Sequence, residues 1–303
     1  MSKLFRLLLC LLVTTPHWAY AAPTVSGSKP HVGKSTVPKT SKPVKTTVTP
    51  PPANDTSRLG YLLMDQESGR VLEAFQERES FIPASVSKVP TTLAALHILG
   101  SNHRYRTTVQ GTGPVVDGVV QGDLILAGSG DPSFNVAGVM DLILQLRLKG
   151  IRRVQGRFLY DESALIPEGG ISNEQNDEET YNQGVSALSM EFNRAQLQWS
   201  LVQGQLIARV TPDLDGYITL QLGDASRAGP SLTYLGGDKV ERWRLNPRNA
   251  RSGWEWVPIK KPARFTALFF RALGRQAGIE LPIPDAGATP TTAVTLASHA
   301  SPP

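Results

Sequence analysis

The chain has 303 residues, 40% hydrophobic and 19% charged, with a formal net charge of +5 at pH 7. Its first 54 positions hold seven cationic side chains (Lys3, Arg6, Lys29, Lys34, Lys39, Lys42 and Lys45) and no acidic one, which leaves about −2 for the rest. The basic balance therefore belongs to the N-terminal tail, and the body of the chain offers no cationic face for nucleic acid.

The first 22 residues read "MSKLFRLLLCLLVTTPHWAYAA". Lys3 and Arg6 precede an apolar run at 7–13, and Ala19-Tyr20-Ala21 supplies a small-residue cleavage pattern, so residues 1–21 are expected to be a secretory signal peptide. The apolar run falls short of the ~20 residues that a spanning helix needs. Lipid attachment at Cys10 is disfavoured by the bulky Leu9 before it. Cys10 is the sole cysteine, so the exported chain contains none and relies on its core alone; the expected location is the periplasm.

Residues 22–57 are rich in Pro, Ser, Thr and Lys and poor in large apolar groups, which makes them a disordered or extended tether. Its lysines read first as those of a solvated linker, with contact to an anionic wall or membrane surface as the alternative. The stretch "VGKST" at 32–36 imitates the end of a phosphate-binding loop, but the motif needs glycine where Ser28 stands, and no predicted strand precedes it.

The body opens with "RLGYLLMDQESGRVLEAF". Apolar runs at 59–64 and 71–75 flank Gln66-Glu67-Ser68-Gly69 and predict a β-hairpin. Next comes "FIPASVSKVPTT" (81–92), in which Val89, Leu93, Leu96 and Leu99 recur at helical spacing up to a stop at Gly100. Ser85 falls in the first helical turn and Lys88 one turn later on the same face. A serine hydroxyl becomes a useful nucleophile when a neighbouring base takes its proton, and a lysine amine can be that base if burial or nearby positive charge lowers its pKa. The helix N-terminus adds backbone N–H groups that favour a developing oxyanion. Alone, S-x-x-K is a common pattern and reads as a capping serine beside a solvated lysine. Pro90 is expected to kink the helix just after Lys88, because a proline ring cannot donate to the carbonyl of Val86.

No histidine replaces Lys88 as the base. His17 and His31 lie in the signal and tether, and His97 is about 18 Å along the helix at ~1.5 Å per residue. His103 and His299 cannot be placed by sequence, and neither a G-x-S-x-G elbow nor a His/Cys metal cluster occurs.

Further on, Asp123, Gly128, Gly130 and Asp131 surround a short strand with turn chemistry, and 136–149 reads as an apolar helix ending at Gly150. In "AQLQWSL" Ala195, Leu197, Trp199 and Leu201 alternate with polar residues as a half-buried strand does, before a turn at Gln203-Gly204 leads into "LIARV". Phe265, Leu268, Phe269, Ala272 and Leu273 make one apolar helix face closed by Gly278. Strands and helices mix without a regular βαβ repeat, so the fold class is α+β.

These residues together resemble a family. "PASVSK" after the "SGRVL" hairpin, "VVQGDLILAGSGDPSF", "GRFLYDESAL", "YNQGVSALSMEFNRAQLQW" and "WVPIKKPARFTALFFRALGRQAGIEL" are similar, in order, to blocks of the D-alanyl-D-alanine carboxypeptidases of the class C penicillin-binding proteins, peptidase family S13. The resemblance implies a β-lactamase/transpeptidase-like catalytic domain interrupted by a mostly β insertion domain. Mapped here, 58–100 is the first catalytic segment, 101–252 the insertion, and 253–303 the return helix and the start of a second catalytic segment. It also implies catalytic roles for Ser85 as nucleophile and Lys88 as base. The implied activity is a carboxypeptidase that can also act as an endopeptidase, on peptidoglycan peptides ending in D-Ala-D-Ala, with β-lactams as acylating ligands and no cofactor.

The family's site also uses S-x-N and K-T-G motifs, and neither is found in the expected order. Ser133-Phe134-Asn135 fits the first pattern but belongs to the Gly-Asp-Pro block, and Lys39-Thr40-Ser41 lies in the tether. On this reading the chain is C-terminally truncated and weak or inactive alone. The alternatives are a non-catalytic cell-wall-binding protein and an S-x-x-K esterase or β-lactamase.

Overall fold

The computed structural model describes residues 59–303 apart from 204, 215, 225–228, 247 and 249–251, so the expected signal peptide, tether and "VGKST" stretch lie outside the described residues. Two bodies divide between Phe81 and Ile82.

The first body contains the expected hairpin. Strands β1 (Tyr61–Met64) and β2 (Val71–Phe75) pair antiparallel. The turn is held by the Asp65 carboxylate, which accepts from the Ser68 amide at 2.8 Å and its hydroxyl at 2.6 Å, an Asx-type closure. Gly69 follows with φ +67°, a conformation that a side chain would resist.

The second body begins with a 3-10 turn (Ala84–Ser87) that runs directly into helix α1 (Lys88–Leu99). No α1 side chain is buried. Gly100 ends the helix with φ +83°, as its position in the sequence predicts.

A mixed sheet follows, built from β3 (Arg106–Gly111), β6 (Leu124–Ala127), β8 (Phe158–Asp161), β15 (Pro284–Ala286) and β16 (Val294–Ala300) in the order β15-β8-β6-β3-β16. The pairs β15–β8 and β8–β6 are parallel, whereas β3 pairs antiparallel with both β6 and β16. Leu124, Ile125 and Leu126 are buried on both faces of β6, which explains why this strand reads as a continuous apolar run rather than an alternation. Strands β4 (Val115–Val116), β5 (Val119–Val120) and β7 (Arg153–Val154) form a small satellite sheet.

Helix α2 (Val136–Leu148) buries Val139, Leu142, Ile143 and Leu146, the 3-4 spacing of one face. The remaining strands form two three-stranded sheets. One has the order β10-β9-β14, from β9 (Arg194–Val202), β10 (Gln205–Thr211) and β14 (Ser252–Pro258). The other has the order β11-β13-β12, from β11 (Ile218–Leu222), β12 (Leu232–Tyr234) and β13 (Glu241–Leu245). Ala195, Leu197 and Trp199 are buried along β9, the alternation read from the sequence.

Helix α3 (Pro262–Gln276) buries Phe265 and Phe269, with Leu268, Ala272 and Leu273 packed against the core; Phe270 is also fully buried. One apolar cluster joins these elements through Leu124, Phe158, Trp243, Phe265 and Phe270. Hydrogen bonding crosses the boundary expected at 252/253, because β14 pairs with β9, β15 with β8 and β16 with β3. Among the described residues, no helix is long and apolar enough to cross a membrane.

Candidate active site

The Ser85–Lys88 pair is made by local backbone geometry. Pro83 accepts from the Val86 amide at 2.9 Å and opens the 3-10 turn. Ala84 sits at φ +44°, a left-handed conformation that costs an L-residue about 1–2 kcal/mol. The Ser87 hydroxyl donates to the Ala84 carbonyl at 2.7 Å, and the Thr91 hydroxyl to that of Ser87 at 3.0 Å. These bonds tie the turn to the first turn of α1.

A 3-10 turn places residues i and i+3 nearly in line. Lys88 Nζ accordingly lies 3.0 Å from Ser85 Oγ and donates to it. Both residues are exposed, and Lys88 is the only hydrogen-bond partner of the Ser85 hydroxyl among the described residues. With the amine neutral, the same distance lets the lysine accept the hydroxyl proton as the oxygen attacks a carbonyl.

Pro90 does not act as expected. The break lies before it, at the junction of the 3-10 turn and α1, and Pro90 is the third residue of the α-helix. A proline in the first turn of a helix is tolerated, because its fixed φ already suits the helical backbone there.

The other candidates from the sequence have structural roles. Ser133 donates both its amide (2.8 Å) and its hydroxyl (2.7 Å) to Asp131, and Asn135 caps α2 by accepting from the Gly138 amide at 3.2 Å. Asp123 accepts from the Arg157 guanidinium at 2.7 Å, and this bond holds its carboxyl below the usual range. At Gly128 a Cβ would lie 2.2 Å from the Ala187 carbonyl oxygen, so only glycine lets this turn lie against the "SALSM" stretch.

His299, which the sequence could not place, has its Nδ1 3.0 Å from a carboxylate oxygen of Asp141 and its ring beside Phe134. The Gln145 side chain brackets Ser298 next to it, accepting from the amide and donating to the carbonyl, so α2 is tied to β16.

A second polar cluster, absent from the sequence reading, lies at the start of α3. One oxygen of the fully buried Glu241 accepts from the Lys260 amide (2.9 Å), the Lys261 amide (3.0 Å) and the Tyr217 hydroxyl (3.1 Å). Its second oxygen has no hydrogen-bond partner among the described residues. Burial pushes the Glu241 carboxyl up against the pull of those bonds, and burial with the nearby carboxylate pushes the Tyr217 phenol up. The buried Lys260 Nζ donates to the Asn182 carbonyl at 2.7 Å and reaches Asp177 at 3.1 Å. A cleft of about 260 Å³ opens over this helix start, lined in part by Tyr160, Glu162, Lys260 and Arg264. Glu241 thus fixes where α3 begins. Lone acidic or basic residues in a sequence carry no signal for such a contact.

The family model for the D-Ala-D-Ala carboxypeptidase 3 (S13) family matches residues 41–303. Over 142 residues, 46% of this chain and 26% of the relative, the chain is 30% identical to a D-alanyl-D-alanine carboxypeptidase of Actinomadura sp. (strain R39). The crystal structure of penicillin binding protein 4 (dacB) from Haemophilus influenzae superposes with a TM-score of 0.65 at 20% identity, covering 80% of this chain and 56% of that one. The same protein complexed with a novel β-lactam gives 0.61 at 18% identity, covering 79% and 54%. The chain thus spans about a quarter of that curated relative and a little over half of the solved chains. These likenesses agree with the α+β class read from the sequence.

Proposed function

The chain belongs to the D-Ala-D-Ala carboxypeptidase 3 (S13) family, and from that premise we propose that it is an exported, periplasmic serine-type D-Ala-D-Ala carboxypeptidase of peptidoglycan metabolism. The observation that carries the reading is the 3.0 Å contact between Lys88 Nζ and Ser85 Oγ at the N-terminus of α1. In the proposed reaction the Lys88 amine takes the Ser85 proton while Oγ attacks the carbonyl of the penultimate D-Ala. The resulting tetrahedral intermediate collapses to an ester on Ser85, and the terminal D-Ala departs as an amine that receives the proton. Water then attacks the ester, its proton going to Lys88, and the shortened peptide leaves with Ser85 restored.

The same steps at a peptide cross-link give endopeptidase cleavage. A β-lactam ring acylates the same oxygen, which matches the β-lactam bound to the Haemophilus protein. The lysine-rich N-terminal stretch meets anionic wall or membrane polymer.

A long incubation with fluorescent penicillin, read by intact and peptide mass spectrometry, tests this. The expected result is one adduct on the peptide containing Ser85, lost in Ser85→Ala and strongly reduced in Lys88→Met. Equal labelling of Ser85→Ala, or no adduct at saturating penicillin, overturns it.

A further inference from the structure

The outer face of the β10-β9-β14 sheet carries a row of flat side chains that nothing so far explains. Strand alternation sends Ala195, Leu197 and Trp199 into the core and leaves Arg194, Gln196 and Gln198 on the other side. The register sets Trp256 opposite Gln196 and Trp254 opposite Gln198, so both indoles share that outer face. Gly253 between them has no side chain because the Trp199 ring lies where its Cβ would be, at 2.8 Å.

Trp254 is 60% exposed, Trp256 44% and the neighbouring Phe192 64%. The Arg194 guanidinium lies over both the Phe192 ring (5.4 Å) and the Trp256 ring (5.8 Å). Phe192 is presented by three consecutive residues in the left-handed region, Glu191, Phe192 and Asn193, with φ +49°, +55° and +52°. Strain of this kind costs about 1–3 kcal/mol per residue and collects at functional sites. Gln196 and Gln198 bond to each other at 2.9 Å on the strand next to the two indoles. No register position on this face is acidic, and Arg194 and Arg209 have no carboxylate partner among the described residues.

We propose that this face is a binding platform for a carboxylate-bearing, N-acetylated glycan strand. The C–H face of a pyranose ring is apolar and stacks on an indole, and tandem Trp residues at i and i+2, about 6.6–6.8 Å apart along a strand, suit a linear chain of such rings. Hydroxyl and acetamido groups find donors and acceptors in the Gln pair, and carboxylates find the two guanidiniums. A protein partner fits less well, because protein interfaces centre on a closely packed apolar core, whereas here every ring alternates with an amide or a cation. Naming the wall polymer as the glycan rests on the function proposed above; the platform chemistry does not.

The test uses the full chain and wall glycan chains stripped of their peptides, which keep a carboxylate on alternate sugars. Binding is read by tryptophan fluorescence and by co-sedimentation with stripped sacculi. The double variant Trp254→Ala/Trp256→Ala is expected to bind about tenfold or more weakly. Trp256→Phe should retain most binding, and Arg194→Gln should weaken binding to the acidic glycan more than to neutral N-acetylglucosamine oligomers. Denaturation midpoints establish that the variants fold; if the double variant does not, the two single variants decide. Absence of glycan binding by the wild type, or equal binding by all variants, overturns the proposal. So does self-association that disappears in the double variant without any glycan binding, which would assign the face to a second copy. Ser85→Ala should bind glycan like the wild type, and the Trp variants should still be acylated, so each reading can fail while the other stands.

Discussion

Two polar clusters of this molecule are built in opposite ways. Ser85 and Lys88 are three residues apart, exposed, and brought together by one 3-10 turn. Glu241, Tyr217 and the Lys260 amide are up to 43 residues apart, buried, and brought together by the packing of β13 against the start of α3. A local pair needs only backbone geometry and can stand in water, where its chemistry is available to a substrate. A distant pair must be held by a core, and its carboxyl carries the electrostatic cost of burial. On the function proposed above, reactivity belongs to the first cluster, whereas the second holds the start of α3 in place.

That contrast can be broken by mutation, and the largest expected effect is in the core around α3. Phe265→Ala should lower stability by about 3–5 kcal/mol, measured by chemical denaturation, since it empties a fully buried aromatic site. A loss below about 1 kcal/mol would mean that α3 is not anchored as described.

The pH dependence comes next. Burial raises the Glu241 carboxyl above its unfolded value, so its contribution is fully present below the ordinary glutamate range and is lost as pH rises through the folded value. Denaturation midpoints of the wild type should therefore drop relative to those of Glu241→Gln as pH is raised from the acid side towards neutrality. The amide keeps the three hydrogen-bond donors satisfied and cannot ionise. A parallel pH profile for the two proteins would show that the carboxylate is better solvated than its burial implies. The Asp123–Arg157 pair works in the other direction, weakening as acid protonates a carboxyl held low. Because the arginine is largely exposed, that contribution is small.

The smallest effect belongs to α1. Leu93 is exposed, and Leu93→Ala should change stability by no more than about 0.5 kcal/mol. A loss of several kcal/mol would show that α1 is covered in solution, and the comparison between its exposed turn and the buried α3 start would need redrawing.

Local patterns were legible wherever short-range chemistry decides the outcome. The hairpin turn depends on Asp65, Ser68 and Gly69 within five residues, and the stop of α1 on Gly100 alone. The faces of α2, α3 and β9 follow from side-chain period. Pro90 misled because its effect depends on where a helix begins, and the 3-10 turn before Lys88 moved that start by one turn. The glycan platform was half visible: the alternation in β9 could be read, but Trp254 and Trp256 acquired their neighbours only when β14 paired with it.

By itself, then, the sequence determined the order of elements, the spacing that lets Lys88 reach Ser85, and the ordered blocks that resemble the S13 family, because each is written in neighbouring residues. Tertiary structure decided that β15 and β16 close the same sheet as β3, β6 and β8, that His299 meets Asp141, and that Glu241 receives α3. The physical reason is that strand partners and buried contacts are chosen by which apolar surfaces can be covered together. That choice belongs to the whole chain, and no single segment records it.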